Sequence, residues 1–219
     1  MDTLTRDRLG ASRRRRLHAG RNPTKAVVDL VEIDGRPIVL KDLAGRPWPV
    51  RCLLGPWQLD REARAYALLA GVRGVPRFLG RIDRRAIALD YVAGRDLSSA
   101  RPGELAPAFF DDLDRLIAEV HAAGVAHGDL HRHDVLEGRD GRPYLVDFST
   151  SVVAGPGAGP LRRFLFEQMC RADRRAAVKL RRRLLPEADP DVPARPGLYR
   201  AGAVLRRCWD LLRGRRSPR

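Results

Sequence analysis

An α+β fold is predicted, with a small β-rich part first and a mainly helical part after it. Short apolar-alternating runs separated by turn pairs fill residues 25–92, with one helical pattern among them. Apolar residues recur at helical spacing through 107–124 and again through 161–185. Between those helices, a polar loop leads into two short strands joined by Asp140-Gly141. The 219 residues and the 44% apolar content allow one domain or two small lobes around a real core.

Taken in order, residues 1–22 are polar, Arg-rich and without clear period, and are expected to be a mobile or loosely packed lead-in. KAVVDLVEI and RPIVLKD read as strands joined at Asp34-Gly35, a pair suited to a two-residue hairpin, with Lys41 near the end of the second. Pro47, Pro49, Gly55 and Pro56 break the chain before QLDREARAYALLAGV, which sets Leu59, Ala63, Tyr66 and Leu69 on one helix face. RFLGRID and AIALDYV are two more strands, and Gly94 opens a link. PAFFDDLDRLIAEVHAAG is a helix through Phe109, Phe110, Leu113, Leu116, Ile117 and Val120. VLEG and YLVDF form the hairpin, and SVVAGPGAGP reads as a linker. The next helix has Leu161, Phe164, Leu165, Met169, Ala172, Ala176 and Leu180 on its apolar face. A last helix carries Leu198, Val204, Leu205, Cys208, Trp209 and Leu212.

Charge narrows the partners. Lys and Arg number 42 against 27 acidic residues, a net +15, of which +11 falls in residues 161–219. Such a chain is drawn to polyanions: nucleic acid, an anionic membrane face or a phosphorylated substrate. A genome rich in Arg codons would give the same excess, since only Lys25, Lys41 and Lys179 are lysines. Three distant cysteines without a CxxC encode neither a disulfide framework nor a zinc knuckle, so a cytoplasmic setting is expected. The N-terminus has no apolar stretch of the secretory kind, and no run approaches a membrane span.

Four of the five histidines fall between His121 and Asp147. A tight hairpin brings its ends together, so Asp134, before VLEG, and Asp147, after YLV, should lie side by side. Two adjacent carboxylates make a hard oxygen site suited to Mg²⁺. Asp129, five residues earlier, would project from the same loop, where a group orienting an attacking hydroxyl belongs. A zinc site on His127, His131 and His133 is the competing reading, and it lacks a distant ligand set. His121 reads as a capping or surface residue and His133 as solvent-facing.

HGDLHRHDVL followed by VDFS resembles the catalytic and metal-binding loops of the protein-kinase-like superfamily, whose pattern is an H-x-D loop, a metal ligand five residues on, then D-F-G. The resemblance implies a bilobal protein-kinase-like fold: an N-lobe over 23–92 that binds nucleotide and a C-lobe over 93–219. It implies Asp129 as catalytic aspartate, Asp147 as principal Mg²⁺ ligand and Asp134 where the second ligand, usually Asn, belongs. Lys41 falls where the strand-borne phosphate-binding lysine sits, and Glu62 where its helix partner sits. His127 would be structural, and His131 is expected to face the transferred phosphate. A chain that uses Arg almost throughout keeps Lys at position 41, where a compact ammonium is wanted. The sequence departs from the family in four ways. No Gly-rich phosphate loop precedes Lys41, so Thr24 and nearby backbone N–H groups are expected to stand in. Gly128 replaces the arginine that reads a phosphorylated activation loop, DFG is DFS, and no A-P-E segment follows.

Within the superfamily the short second lobe, the HGDLH loop and the basic surface look most like the bacterial lipopolysaccharide-core sugar kinases and RIO-like kinases, over roughly 27–151. That implies ATP and Mg²⁺ as cofactors and a Kdo or heptose hydroxyl of an anionic glycolipid as acceptor. A protein Ser/Thr acceptor is the second reading, and a cationic aminoglycoside suits a basic chain poorly. A third, of another class, is a kinase-fold ATPase or binding partner in an RNA-modifying assembly, resembling the small kinase of the tRNA-modification complex. The last helix either packs on the second lobe or rests, with RRFLF and KLRRRLL, on an anionic inner-membrane face.

Overall fold

The computed structural model describes residues 4–6, 9, 14–18, 25–155 and 157–185. Thr24 and the helix expected around Leu198–Leu212 lie outside them. Five antiparallel strands form the first sheet in the order β1-β2-β3-β5-β4: β1 Arg14–His18, β2 Val27–Ile33, β3 Arg36–Asp42, β4 Phe78–Asp83 and β5 Ala86–Asp90. Asp34 and Gly35 both take positive φ (51° and 74°) in the β2–β3 turn, as the two-residue hairpin requires.

Strand period two sorts this sheet into two faces. Ile38, Leu40, Ala86 and Ala88 pack with Val31, Ile33 and Leu9 on one side, where Leu4, Leu79 and Ile82 add to the cluster. The opposite side presents Ile87 to Leu43, Val50, Leu59 and Ala63. Helix α1, Gly55–Leu68, covers that side and enters through a π-helical turn at Val50–Leu54. Gly55 and Pro56, expected as breakers, form its first turn, where a proline costs no hydrogen bond.

The N-terminal segment differs from the expected loose lead-in. Arg14–His18 adds an edge strand to β2, Leu9 is fully buried, and the Arg6 guanidinium bonds both Asp42 (2.9 Å) and Asp83. An outer face that apolar needs cover, and the segment supplies it.

The second part holds α2 Pro107–Ala122 and α3 Pro160–Leu184, with a three-stranded sheet β6-β8-β9 (Gly94–Asp96, Val135–Gly138, Pro143–Leu145). Strand β7 (Val125–Ala126) pairs with β10 (Val152–Val153), so the expected linker opens with a short strand. The α2 face was read correctly: Phe109, Phe110, Leu113, Leu116, Ile117 and Val120 are all buried. The α3 face is rotated from the reading. Leu161 and Phe164 are exposed, and the buried positions are Gln168, Cys170, Asp173, Ala177, Leu180 and Leu184. Asp173 takes the inward face because its carboxylate has hydrogen-bond partners there. The largest core cluster joins α2, α3 and the hairpin to Ala65, Tyr66 and Leu69 from the α1 region and to Leu89 of β5.

Candidate functional site

Lys41 lies on β3 between Val28 of β2 and Ile87 of β5, with its side chain on the face that α1 covers. Glu62 sits on the buried stripe of α1 with Leu59, Ala63 and Tyr66. Strand and helix thus bring Lys41 Nζ onto Glu62 Oε1, both side chains almost wholly buried. The same ammonium donates to Asp147 Oδ1 at 2.9 Å. Burial opposes the Lys41 charge, but the carboxylates of Asp147 and Glu62 outweigh it and hold its pKa well above the ordinary value. Burial pushes Glu62 upward; Lys41 opposes this and Asp147 adds to it, since one ammonium serves two acids.

Asp147 follows β9 in a left-handed backbone conformation (φ 65°, ψ 63°), which Asp tolerates better than most residues. Its backbone N–H donates to the Tyr66 hydroxyl at 3.2 Å, tying the turn to α1. Burial would raise its carboxyl, yet Lys41 and then Lys25, whose Nζ is 3.3 Å from Oδ2, hold it far below the carboxylate range. Val146 N–H donates to the Asp134 carbonyl at 2.9 Å, so the hairpin brings Asp134 and Asp147 together as the sequence predicted. Asp134 Oδ2 accepts from His131 N–H at 2.9 Å. Its pKa is raised, chiefly by burial; His127 opposes the shift and Asp147 contributes to it.

Among the described residues no group of three or more His, Cys, Asp and Glu side chains could hold a metal by itself. The pair Asp134 and Asp147 fits Mg²⁺ nonetheless. Mg²⁺ takes one or two protein carboxylates and completes its shell with water and phosphate oxygens, and Asp147 already disfavours the charge on Asp134. The zinc reading finds no support in the three loop histidines, whose rings turn to separate partners. His127 Nε2 donates to the Val146 carbonyl (2.9 Å), His131 Nδ1 to the Asp129 carbonyl (2.7 Å), and His133 Nδ1 lies 3.2 Å from Asp96 Oδ2. Asp129 is more than half exposed, with His131 Nε2 3.5 Å from its Oδ1. Its carboxylate is thereby open to an incoming molecule.

Sequence reasoning missed Asp173. Its Oδ1 accepts from Gly128 N–H (2.9 Å), and its Oδ2 accepts from His127 N–H (2.8 Å) and lies 3.0 Å from His121 Nε2. One buried carboxylate on α3 therefore holds the start of the loop that carries Asp129. His121, read as a cap or surface residue, is buried against it. The available signal was an acid set in the stripe Cys170, Asp173, Ala177, Leu180 of a helix otherwise rich in Arg. Gly128 has φ +85°, and a Cβ there would lie 2.9 Å from the Thr150 carbonyl oxygen, so backbone geometry accounts for the glycine. Phe148 links the parts through rings: its centroid is 5.2 Å from Tyr66 and 5.1 Å from His127. Arg61 of α1 donates to the Ser149 carbonyl and lies 4.7 Å over the exposed Trp57 ring.

No protein-family model matches the chain. It is 30% identical over 157 residues to 3-deoxy-D-manno-octulosonic acid kinase of Stenotrophomonas maltophilia, covering 70% of this chain and 53% of that protein. It is also 30% identical over 133 residues to a probable SapB synthase of Streptomyces coelicolor, covering 46% of this chain and 14% of that protein. The chain thus spans about half, or much less, of the curated relatives it matches. In structure it resembles the Rio2 kinase from Chaetomium thermophilum with a TM-score of 0.59 at 17% identity, covering 78% of this chain and 57% of that one. The fold is protein-kinase-like, and the relatives and the structural neighbour together point to a kinase, with similarity to the lipopolysaccharide-core and RIO kinases.

Proposed function

We propose that the chain is an ATP- and Mg²⁺-dependent phosphotransferase that moves the γ-phosphate of ATP to a hydroxyl of a lipopolysaccharide-core sugar on an anionic glycolipid. The observation that carries the reading is the Lys41–Glu62–Asp147 charge cluster beside Asp134, with the open Asp129 carboxylate on the adjoining loop. Lys41, held by Glu62, grips phosphate oxygens, and Asp134 and Asp147 hold the metal. Mg²⁺, when bound, neutralises charge on the phosphate oxygens. Asp129 orients the acceptor hydroxyl and takes its proton as the oxygen bonds to the γ-phosphorus and ADP leaves. His131, beside Asp129, faces the transferred phosphate, and Thr24 adds a contact to the nucleotide. Catalysis is then positioning and charge stabilisation.

The sugar acceptor is supported by the similarity to 3-deoxy-D-manno-octulosonic acid kinase, and an anionic acceptor by the net charge of +15. A glycolipid acceptor places the enzyme in the cytoplasm, peripheral on the inner membrane. No described helix is long and apolar enough to cross a membrane. The exposed Leu161 and Phe164 beside Arg162 and Arg163 suit contact with an anionic lipid face.

The test is transfer of labelled γ-phosphate from Mg·ATP into a lysate separated into glycolipid, protein and RNA fractions, with Asp129→Ala alongside. Label in the glycolipid that vanishes with Asp129→Ala is the expected result. Asp129-dependent label in protein instead would make the chain a Ser/Thr kinase. No Asp129-dependent label in any fraction would leave a kinase fold used for binding, with the RNA fraction then assayed for salt-sensitive association.

A further inference from the structure

Lys25 stands at the charge cluster without being required by it. Asp147 Oδ1 is already served by the buried Lys41, while Lys25 reaches the other oxygen at 3.3 Å with its side chain 45% exposed. Its backbone lies two residues before β2, whose first residues pair with Lys41 and Asp42, so it emerges at the end of the sheet that carries Lys41. Of 42 basic residues only three are lysines, and two of these converge on Asp147. Residue type matters here. An Arg fork would clamp a carboxylate through two bonds, whereas an ammonium on a four-carbon stem makes one contact and exchanges partners readily.

The cluster is also oversubscribed. Asp147 carries two ammonium groups and is one of the two acids that fit a divalent cation. Lys41 is committed to Glu62 as well. A nucleotide triphosphate brings several negative charges to this place, and Lys25, being the exposed and weakly held cation, is free to answer them. No Gly-rich stretch precedes Lys41 to supply a cradle of backbone N–H donors.

We propose that Lys25 is a phosphate-binding residue whose ammonium leaves Asp147 for the terminal phosphates of bound nucleotide. This inference rests on the phosphotransferase reading above. A lysine fixed on the segment entering β2 does there what a glycine-lined loop would do with backbone groups, and its contact is made only when phosphates are present.

The experiment is equilibrium binding by titration calorimetry of adenosine, ADP and ATP, each with Mg²⁺, to the full chain at fixed ionic strength. Wild type is compared with Lys25→Met, Lys25→Gln and Lys25→Arg. Lys25→Met and Lys25→Gln should weaken ATP about tenfold, as loss of a charged contact does. ADP should weaken less, adenosine should not change, and Lys25→Arg should recover part of the loss. If the ratio of ATP to adenosine affinity in Lys25→Met equals that of wild type, Lys25 has no phosphate role and the inference fails alone. A parallel fall in both affinities would have the same meaning, since it marks a structural effect. If wild type binds ATP no better than adenosine, the phosphotransferase reading itself fails.

Discussion

Lys41 has one ammonium to divide between Glu62 and Asp147, and both acids depend on it. Replacing it by Met leaves Glu62 buried and without its cation, a change that costs roughly 3 kcal/mol in other buried pairs. Urea unfolding of Lys41→Met should show a loss of that size, and Lys41→Met with Glu62→Gln should regain part of it, since the second change removes the stranded charge. A double variant no more stable than Lys41→Met would show that the pair is not coupled. At Gly128 the constraint is backbone shape. With φ at +85° and the Thr150 oxygen so near, Gly128→Ala should cost about 1–2 kcal/mol, read as a lowered melting temperature. An unchanged melting temperature would mean that the loop can relax into another conformation.

At the scale of elements, the N-terminal segment and α3 each hold the molecule through one side chain. Arg6 keeps Asp83 below the ordinary carboxylate value, its hydrogen bond outweighing burial. A carboxyl lowered in the folded state adds stability that is complete above its unfolded value near 3.8 and is lost as pH falls through the lower folded one. The melting-temperature difference between wild type and Arg6→Met should therefore be constant from pH 7 to about 5 and shrink toward pH 2.5. A difference that grows on acidification would contradict the clamp. Asp173→Ala strands two backbone N–H groups and His121, and should cost about 3 kcal/mol. As a positioning residue it should lower kcat more than it raises KM, with Asp173→Asn intermediate. Equal loss in a ligand-free melt but unchanged kcat would assign it a structural role only.

The same elements show what the sequence could tell. Strand β3 was legible because its alternation and the Asp34-Gly35 turn are local, and the Asp134–Asp147 pair because a hairpin closes over few residues. Arg14–His18 was not, since RRRLH carries no inward-facing apolar pattern and its strand exists only because β2 offers an edge. The phase of α3 differs because Asp173 is buried through partners 45 to 52 residues away. That coupling leaves no local trace. Thus the meeting of Lys41 with Glu62 and of Asp134 with Asp147 follows from spacing and resemblance, while Asp173, Tyr66 and Lys25 acquire their place only when the chain is folded.

For the whole molecule, the largest core cluster takes Ala65, Tyr66, Leu69 and Leu89 together with α2, α3 and the hairpin. The sheet and the helical part therefore share apolar contacts. Calorimetry should show one transition whose calorimetric and van't Hoff enthalpies agree, rather than two. Two separable transitions would place the cooperative boundary between the lobes after all. The Arg61 contact offers a way to watch that boundary. Its guanidinium touches the Ser149 carbonyl on one side and stacks on Trp57 on the other, so an indole at the surface is wired to the turn that follows Asp147. With Trp48 and Trp209 changed to Phe, the remaining tryptophan emission becomes an optical gauge of that turn, readable in solution without label as nucleotide is added.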